Sequence, residues 1–491
     1  MADLVLAPER TPVPPFDLVI VGARGDLALR KLLPALARRT AEGVIPTGSR
    51  IIGLVRSDTS DLSDLAGRRM AEEGITALEA AGLLQRLSFI SADATDPQAL
   101  APLRARLDEH RRVRAFYLAT APDMFVPVTQ ALSDAQLLHG EYRVILEKPL
   151  GSDLASARKI NAAIAKCVPE HQIYRIDHYL GKEAVQNLLV LRFANYLFER
   201  AWSQRDIDNV QISVAETLGL QQRASYFDKI GTLRDMVQNH VLQLLSLYAM
   251  EPPNALSADA VREEKVRVLR ALRPLKGVDV LSRTVRGQYS RGSINGTPVA
   301  GYAEELGHAS NTETFVAMRC DVDTWRWSGV PIYIRTGKRM GSRFSEIVVT
   351  FKSIPHVIFK SQDHGHVQGP NRLIIRLQPN DGLQLQFMMK MPGSGPLRVV
   401  PRTLDLRYAT AFNERAPDAY ERLLTDVIRG DQTLFMRRDE VEAAWRFVDP
   451  IMEGWQEFYS TPHAYVAGTE GPPEAIALIE REGRSWIQAG N

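Results

Sequence analysis

Residues 175–183, with the sequence RIDHYLGKE, bring cations, carboxylates, an imidazole and a phenol into one short segment. If a helix begins near Asp177, then His178 and Lys182 stand four residues apart on one face of it. An imidazole and an ammonium group that point the same way suit a dianionic phosphate. The alternative is a solvated helix start with Asp177 as its N-cap. The rest of the chain has to decide between these two interpretations.

A glycine-containing turn follows the first apolar run of the chain. Its sequence, GARGDLALRKLLPAL, begins at Gly22, places Gly25 in the turn and has Ala28 where dinucleotide-binding loops often carry a third glycine. Such a turn lets the backbone approach a pyrophosphate, which then lies at the N-terminus of the next helix. Because a strand pattern precedes the turn and a helix pattern follows it, we expect a dinucleotide site and not an ordinary left-handed turn.

The second apolar run ends in GLVRSD, which places Arg56 where sites that prefer NAD carry an acidic residue. An arginine here favours the 2′-phosphate of NADP, and the alternative is a surface arginine. Asp58 could still accept a hydrogen bond from a ribose hydroxyl. The sequence therefore predicts NADP as the cofactor, with NAD open as a weaker alternative.

Lys148, in the sequence EKPLG, follows another apolar run. The carboxyl ends of the strands are where open parallel sheets bind ligands, so this lysine can reach both a nicotinamide and a substrate. The bond before Pro149 is cis or trans, and the sequence does not decide which.

A second histidine, His240, lies in the helical pattern of residues 234–250, beside an apolar stripe. An isolated histidine at such a place is more often a hydrogen-bonded core residue than a catalyst. The nearby Asp235, Gln238 and Asn239 favour a sugar-binding site. Farther along, Lys338 and Arg343 follow a strand pattern and could close over an anionic substrate, or form a solvated basic turn.

The first third of the chain alternates short apolar runs with helical patterns that open on aspartate, which predicts crossover units and a parallel sheet covered on both faces. The resulting domain is α/β and doubly wound. Its predicted strands are residues 16–21, 50–55, 87–91, 113–118, 142–146 and 172–176, and its predicted helices are 26–41, 61–81, 96–112, 123–138 and 153–167.

From about residue 206 the strand patterns follow one another, mostly without intervening helices, which predicts a larger α+β domain with a mainly antiparallel sheet flanked by helices. The predicted strands are residues 210–214, 284–289, 314–321, 330–335, 346–351, 372–377, 383–389 and 404–408. The predicted helices are residues 232–250, 258–271, 419–428 and 438–455.

Composition sets limits on the function. The chain has 491 residues, enough for two or three domains, with 60 Lys and Arg against 58 Asp and Glu. This balance gives no general field for nucleic acid or an anionic membrane. The two cysteines, Cys167 and Cys320, form neither a disulfide framework nor a cysteine metal site. We find no secretory signal and no apolar run long enough to span a membrane, so we expect a cytoplasmic protein.

Taken together, several motifs resemble the glucose-6-phosphate dehydrogenase family over nearly the whole chain, from about Asp17 to Trp486. These motifs are GARGDLA from Gly22, EKP up to Pro149, RIDHYLGKE, RDMVQNHVLQ around His240 and RTGK ending at Lys338. The resemblance implies a Rossmann-like NADP-binding domain over residues 1–176 and a substrate-binding and dimerisation domain over residues 177–491.

The resemblance also implies a reaction, which is oxidation of D-glucose 6-phosphate at C1 to 6-phospho-D-glucono-1,5-lactone in the first step of the oxidative pentose phosphate pathway. His240 would be the general base, and Asp177 would hydrogen-bond its imidazole and stabilise the cation. No metal is required, because the nicotinamide accepts the hydride. The implied substrate contacts are Lys148, His178, Tyr179, Lys182, Glu216, Asp235, Lys338 and Arg343. The implied cofactor contacts are Gly22, Gly25, Asp26, Leu27, Lys31, Arg56, Asp93 and Lys148.

The sequence departs from the family pattern at a few positions. Arg24 stands where members often carry Ser or Thr, so a hydroxyl contact to the pyrophosphate could become a charge contact. Gln384 and Gln386 occupy positions of a second, structural NADP site of mammalian members, and we expect no such site here. The family pattern implies a homodimer or homotetramer. The alternatives are another sugar or cyclitol dehydrogenase, and a non-catalytic NADP sensor or scaffold.

Overall fold

The computed structural model describes residues 12–108, 112–220, 224–356, 358, 369–394, 397–412 and 415–487. The chain divides into two compact units. The first comprises Met1–Lys182, Asn254–Arg262 and Pro417–Glu442, and the second comprises Glu183–Pro253, Glu263–Ala416 and Ala443–Asn491. The predicted domain boundary after residue 176 stays a prediction. The sequence analysis found no secretory signal at the N-terminus. Residues 1–11 of that segment lie outside the described residues.

The first unit contains a seven-stranded sheet in the order β17-β6-β5-β4-β1-β2-β3. Its strands are β1 Phe16–Val21, β2 Arg50–Val55, β3 Leu87–Ser91, β4 Val113–Leu118, β5 Tyr142–Leu146, β6 Ile173–Ile176 and β17 Phe435–Met436. The pairs from β3 to β6 are parallel, and β17 adds an antiparallel edge. Every residue of β1, β4 and β5 is buried, as expected for a parallel sheet covered on both faces. The predicted doubly wound α/β domain is confirmed.

The helices of this sheet differ in detail from the prediction. They are α1 Leu33–Ala41, α2 Leu62–Glu72, α3 Ala77–Leu84, α4 Ala101–Asp108, α5 Phe125–Asp134 and α6 Leu154–Ile164. The single helix predicted over 61–81 is two helices, because Gly74 has φ +77° and Thr76 forms a capping box with Glu79 that starts α3. The helix predicted over 96–112 begins only at residue 101, and residues 109–111 lie outside the described part of the chain.

The second unit contains a nine-stranded sheet in the order β16-β15-β14-β13-β7-β12-β11-β8-β18. Its strands are β7 Ile207–Ala215, β8 Thr284–Ser290, β11 Phe315–Cys320, β12 Ile332–Gly337, β13 Phe344–Phe351, β14 Arg372–Gln378, β15 Gly382–Lys390, β16 Val399–Arg407 and β18 His463–Val466, with a separate hairpin of β9 Gly292–Ile294 and β10 Thr297–Val299. The β7·β12 and β8·β18 pairs are parallel and the rest antiparallel. The mainly antiparallel sheet is confirmed, although β9, β10, β17 and β18 were not predicted.

The remaining α-helices of the described residues follow residue 182. They are α7 Glu183–Phe193, α8 Tyr196–Ala201, α9 Ala224–Thr232, α10 Leu242–Ala249, α11 Ala258–Ala271, α12 Val278–Arg283, α13 Tyr302–Leu306, α14 Tyr408–Phe412, α15 Ala419–Arg429, α16 Arg438–Glu457 and α17 Pro473–Glu480. The helix predicted over 232–250 is π-helical at Leu233–Val241 and α-helical in α10. Among the described residues, no helix combines the length and apolar character needed to cross a membrane.

Candidate active site

The turn after β1 has the backbone conformation that its glycines predict. Gly22 has φ +87°, and its N–H donates to Leu54 O at 3.0 Å. A Cβ at Gly22 would lie 2.7 Å from Ala119 O, which leaves no room for a side chain. The N–H of Gly25 donates to Gly22 O at 3.0 Å and closes the turn.

The helix after this turn begins at Asp26, since Leu29 N donates to Gly25 O at 3.0 Å, and it is π-helical at Ala28–Leu32 before it continues as α1. Its first turn therefore carries one acidic residue. Asp26 is exposed, 3.9 Å from Arg30, and Lys31 is also exposed. A helix start of this kind offers backbone donors and a positive dipole end, which fit the pyrophosphate of a dinucleotide.

Two further predicted cofactor residues follow β2 and β3. Arg56, directly after β2, is exposed at the carboxyl edge of the sheet. Asp93, after β3, accepts hydrogen bonds from Thr95 N at 2.9 Å and Thr95 Oγ1 at 2.8 Å. These bonds lower the pKa of Asp93, and the charge of Arg56 lowers it further. The acidic and basic residues predicted for the adenosine end therefore occupy neighbouring strand ends.

Lys148 follows β5 and is partly buried, and its peptide bond to Pro149 is cis. The preceding Glu147 is buried and accepts hydrogen bonds from Tyr117 Oη at 2.5 Å and Tyr420 Oη at 3.3 Å. Burial raises the pKa of Glu147, and the hydrogen bonds from the two phenols oppose this effect. Lys148 thus directly follows a residue whose carboxyl group is buried and held by two hydrogen bonds.

The segment after β6 is a turn, and the prediction of a helix start near Asp177 is wrong. Residues 177–182 form successive turns, in which Leu180 N donates to Asp177 O at 3.0 Å and Lys182 N donates to Tyr179 O at 3.1 Å. The carboxylate of Asp177 accepts from Tyr179 N at 2.9 Å, two residues on. This side-chain bond favours a local turn over a helical first turn, and the next helix, α7, starts only after the segment.

The turn nevertheless brings the predicted phosphate-binding side chains together. Lys182 Nζ lies 3.6 Å from the centroid of the Tyr179 ring, and the His178 ring lies 5.3 Å from the same centroid. His178 also stacks on Tyr420, with 6.3 Å between the ring centroids and 15° between the planes. His178 and Lys182 are only partly buried and remain accessible, whereas Asp177 is 1% exposed.

In the second unit, the π-helical segment Leu233–Val241 carries Asp235 and His240. His240 is buried, and its backbone N–H donates to the side chain of Asn239 at 2.6 Å. Asp235 is partly buried. Short π-helical stretches are rare and occur often at functional sites, because they displace side chains from their α-helical positions.

A buried carboxyl group holds the start of this π-helical segment. Glu313 Oε1 accepts a hydrogen bond from Leu233 N at 3.1 Å, and Glu313 O accepts from Thr232 N at 3.0 Å. Burial raises the pKa of Glu313, and the neighbouring charge of Arg286 opposes the increase. Gly231, with φ +71°, provides the close approach, since a Cβ there would lie within 3 Å of the Glu313 carboxyl group.

Two other predicted substrate residues form an ion pair. Lys338 Nζ lies 2.7 Å from Glu216 Oε2. Backbone hydrogen bonds hold both residues, because Glu216 N donates to Gly337 O at 3.0 Å and Lys338 N donates to Thr314 O at 2.9 Å. Lys338 also lies 5.0 Å from the ring of Phe227. Arg343 is exposed, just before β13, and follows Lys338 by five positions in the sequence. The second unit therefore joins Glu216 with Lys338 and carries Asp235 and His240 on one π-helical segment.

Two family models match this chain. The model for the glucose-6-phosphate dehydrogenase NAD binding domain matches residues 19–187, and the model for the C-terminal domain matches residues 189–487. The chain belongs to the glucose-6-phosphate dehydrogenase family. A nicotinamide dinucleotide is therefore its cofactor class.

Relatives named glucose-6-phosphate 1-dehydrogenase match this family member over nearly their full length. The protein of Rhizobium meliloti is 51% identical, covering 97% of this chain and 99% of its own, and that of Mycolicibacterium smegmatis is 48% identical, covering 97% and 98%. A solved glucose-6-phosphate dehydrogenase in complex with its substrate glucose-6-phosphate superimposes with a TM-score of 0.88 at 32% identity, covering 97% of this chain and all of the other. The Mycobacterium avium enzyme gives 0.83 at 35% identity, with the same coverage.

Some residues that support the site of this glucose-6-phosphate dehydrogenase family member were not found from the sequence. Tyr420 lies on α15, far from the turn in the chain, and no local pattern relates it to His178. Glu147 belongs to the EKP motif, and its role as acceptor for two phenols needed the fold to become visible. Glu313 stands in a segment without a recognisable motif.

Proposed function

We propose that this protein oxidises D-glucose 6-phosphate at C1 to 6-phospho-D-glucono-1,5-lactone and transfers the hydride to NADP⁺. The observation that carries the proposal is the identity of 51% to a glucose-6-phosphate 1-dehydrogenase over 97% of the chain. The cationic turn of residues 177–182 supports it, because a phosphate ester needs such a group of donors and free glucose does not.

The phosphate is proposed to bind at His178, Tyr179 and Lys182. Lys182 supplies a full positive charge, and the ring of Tyr179 holds its ammonium group in place. His178 adds a ring donor whose plane is fixed by the stack on Tyr420. The phosphate is remote from the reacting C1 carbon, so its binding energy orients the sugar without taking part in the chemical step.

His240 is proposed as the general base that takes the proton from the C1 hydroxyl, with Asp177 stabilising the cation that forms. An imidazole titrates close to neutral pH, which suits a base, and a carboxylate partner fixes its tautomer. Burial of His240 on the π-helical segment supports the assignment, since a buried base is positioned without rotamer freedom. Proton removal by a positioned base is typically worth ~10²–10⁴ in rate.

The sugar hydroxyls are proposed to contact Glu216, Asp235 and Lys338, with Arg343 from the exposed loop as a further cation. The Glu216–Lys338 ion pair supports this role, because its 2.7 Å geometry orders a donor and an acceptor side by side. Lys148, on the cis peptide after β5, is proposed to contact both the substrate and the cofactor.

The cofactor is proposed to be NADP, held by the turn with Gly22 and Gly25 and by the helix start that follows. Asp26, Leu27 and Lys31 would surround the pyrophosphate, Arg56 the 2′-phosphate and Asp93 the adenine side. When bound, the nicotinamide supplies the hydride acceptor for C1. NAD remains the weaker alternative, because Asp58 stands two residues after Arg56.

The test is NADPH absorbance after the purified protein is mixed with glucose 6-phosphate and NADP, repeated with NAD. A substrate panel of glucose 6-phosphate, free glucose, other hexose phosphates and a cyclitol separates this activity from that of another sugar or cyclitol dehydrogenase. We expect turnover with glucose 6-phosphate and NADP, and a large loss with free glucose. Absence of turnover with any phosphorylated sugar would leave a non-catalytic NADP-binding protein and contradict the proposal.

The protein is also proposed to form a homodimer or homotetramer through the outer strands of its large sheet. The side chains of Leu404, Leu406 and Met389 on β15 and β16 are 60%, 50% and 47% exposed, an apolar surface that suits a two-fold contact with a second copy. Sedimentation velocity should show an oligomer that Leu404→Glu weakens and Leu78→Glu, on α3, leaves unchanged. A monomeric wild type at micromolar concentration would contradict this assembly.

A further inference from the structure

A surface pocket of about 500 Å³ lies in the second unit, and none of the described residues that line it is a proposed substrate or cofactor residue. Its walls come from α9 and the π-helical segment Leu233–Val241, from β8, from the residues just before β11 and from the end of α16 with the residues that follow. Pockets that bind small molecules have volumes of ~300–1,000 Å³. This pocket therefore has the size of a metabolite site.

The lining of this pocket carries three cations and one acid. The cations are Lys229 on α9, Arg234 on the π-helical segment and Arg286 on β8, and the acid is Glu313. Three cations against one carboxylate leave an excess of two positive charges in one concave surface. Such a pocket attracts a small anion.

The Arg286 guanidinium is held from several sides. Nη1 donates to Ser460 O at 2.7 Å, and Nη2 donates to Asn311 O and lies 3.4 Å from Glu313 Oε2. The Cζ atom lies 4.8 Å from the centroid of the Trp455 ring. The buried Nε atom has no hydrogen-bond partner among the described residues, so not all five donors of this group are satisfied.

A single carboxylate compensates only part of the Arg286 charge. The side chains of Arg286 and Glu313 are 11% and 2% exposed. Burial lowers the pKa of Arg286, and the charge of Glu313 opposes this decrease. Glu313 is also engaged elsewhere, because its Oε1 atom accepts from Leu233 N at 3.1 Å. A bound anion would supply the negative charge that the buried guanidinium lacks.

The second arginine of the pocket connects it to the π-helical segment. Arg234 Nη1 donates to Lys229 O at 3.0 Å, which joins the start of that segment to α9. The Nε atom of Arg234 is buried and has no hydrogen-bond partner in the described part of the chain. A planar guanidinium binds a phosphate through two parallel hydrogen bonds, so two arginines and a lysine favour a phosphate group as the ligand.

We propose that this pocket binds a small phosphate-bearing anion and that the bound anion lowers the activity of the proposed active site. An anion on Arg286 competes with Glu313 for the guanidinium and places a like charge beside its carboxylate. Glu313 holds Leu233 N, at the first residue of the π-helical segment, and Arg234 is the second residue. The same segment carries His240, so a weaker hold at its start displaces the proposed base.

Binding is measured by ¹⁹F NMR on protein labelled with 5-fluorotryptophan, with inorganic pyrophosphate as the probe. The chain has six tryptophans, and Trp455→Phe identifies the resonance of Trp455, whose ring lies against Arg286. We expect pyrophosphate to shift this resonance with a saturable dependence on concentration. Lys229→Glu should weaken the binding about tenfold or more, because it reverses one of the three charges.

Two control variants locate the bound anion. Lys276→Glu reverses an exposed lysine outside the pocket lining, and Lys182→Ala alters the turn proposed to bind the substrate phosphate. Both should leave the pyrophosphate affinity read at Trp455 within about twofold. Absence of a saturable shift at millimolar pyrophosphate, or equal affinity in wild type and Lys229→Glu, would overturn the proposal. Loss of the shift in Lys182→Ala would also overturn it, because it would place the anion in that turn.

Arg286→Lys tests the guanidinium itself. It keeps the charge and loses the planar fork, so pyrophosphate should bind severalfold more weakly. Arg286 also supports the backbone at Asn311 and Ser460, and thermal unfolding shows whether the variant is folded. If it is not, Lys229→Glu decides alone, since the Lys229 side chain is exposed.

The effect on the active site is measured as kcat at saturating glucose 6-phosphate and NADP, where pyrophosphate no longer competes with either. We expect pyrophosphate to lower kcat about fivefold or more in wild type and in Lys276→Glu, and by no more than about twofold in Lys229→Glu. A kcat that does not respond to pyrophosphate, or falls equally in Lys229→Glu, would overturn the proposed inhibition.

The NMR titration and the turnover assay fail in different ways. The kinetic effect rests on the proposed function, whereas the shift of Trp455 does not. A wild type without turnover whose Trp455 shift is lost in Lys229→Glu contradicts the reaction and supports the pocket. A wild type that turns over glucose 6-phosphate without a saturable shift overturns the pocket alone.

Discussion

Replacing Lys182 by Ala removes a cation from the turn that is proposed to bind the substrate phosphate. Lys182 Nζ lies 3.6 Å from the Tyr179 ring centroid, with the His178 ring 5.3 Å from the same centroid. The substitution leaves His178 and its stack on Tyr420 in place. It therefore removes one of the charged contacts proposed for the phosphate and keeps the others.

The expected magnitude follows from the type of contact. A hydrogen bond to a charged group contributes ~1.5–3 kcal/mol, which corresponds to about 10- to 150-fold in affinity. Because the phosphate is remote from C1, the loss should appear in KM and kcat/KM, with kcat nearly unchanged. Free glucose carries no phosphate, so its small kcat/KM should change by no more than about twofold. The preference of the enzyme for glucose 6-phosphate over glucose should fall by the same 10- to 150-fold.

The assay compares kcat and KM for both sugars in wild type and variants at fixed ionic strength. Lys182→Arg should restore most of the preference, since a guanidinium also binds phosphate. Lys166→Ala, which removes an exposed lysine after α6, is the control for net charge. Thermal unfolding of each variant measures the stability that is lost with the contact between Lys182 and the Tyr179 ring. Such a cation–π contact is worth about 0.5–2 kcal/mol.

Equal losses for glucose and glucose 6-phosphate would refute the reasoning. They would mean that Lys182 supports the structure of the turn and does not bind the phosphate. A large fall in kcat with an unchanged KM would also refute it, because that pattern marks a group acting only in the transition state.

Three further changes test other parts of the molecule. His240→Asn should lower kcat by ~10²–10⁴ while glucose 6-phosphate binding, measured by fluorescence, stays within a few-fold, and near wild-type turnover would remove His240 as the base. Burial raises the pKa of Asp426 from 3.8 to about 6, so the folded protein holds this proton more tightly than the unfolded chain does. The stability that Asp426 contributes is therefore fully present below pH 3.8 and is lost as the pH rises through 6. Asp426→Asn should therefore gain up to ~3 kcal/mol relative to wild type between pH 4 and 7 in urea unfolding, and a pH-independent difference would contradict this. Gly181→Ala places a Cβ 2.7 Å from Ala419 O and should destabilise by ~1–3 kcal/mol with a raised KM for glucose 6-phosphate, whereas Gly67→Ala, with 3.9 Å to its nearest neighbour, should do neither.

Both sheets could be predicted from the sequence because their central strands are apolar runs with clear limits. All six predicted strands of the first sheet are present, β1 to β5 have the predicted bounds, and β6 begins one residue later than predicted. Strands β17 and β18 were missed for a physical reason. The first has only two residues, and the second, His463–Val466, has three exposed positions out of four, so neither carries an apolar pattern. Pairing with a distant strand is what makes each of them extended.

The turn of residues 177–182 shows that side chains predicted to lie near one another can do so on a backbone other than the predicted one. A spacing of four residues suggests one face of a helix, but it does not require one. Here the Asp177 side chain accepts the Tyr179 N–H at 2.9 Å, and this local bond competes with a helical turn. His178 and Lys182 each lie near the Tyr179 ring, at 5.3 Å and 3.6 Å from its centroid. The proposed phosphate site therefore rests on the chemistry of these side chains, and the local hydrogen bonds determine the conformation of the turn.

The support of this turn could not be predicted, because it comes from α15 near the other end of the chain. Tyr420 stacks on His178 with one face and donates its hydroxyl to Glu147, which directly precedes Lys148. One tyrosine therefore connects the imidazole proposed to bind the phosphate with the carboxyl group beside the lysine proposed to contact substrate and cofactor. The Glu147 carboxyl group is buried and also accepts from Tyr117, so it forms a fixed point between the ends of β4 and β5. Since neither motif shows this connection in the sequence, the two motifs looked independent, and in the first unit they share one hydrogen-bonded support.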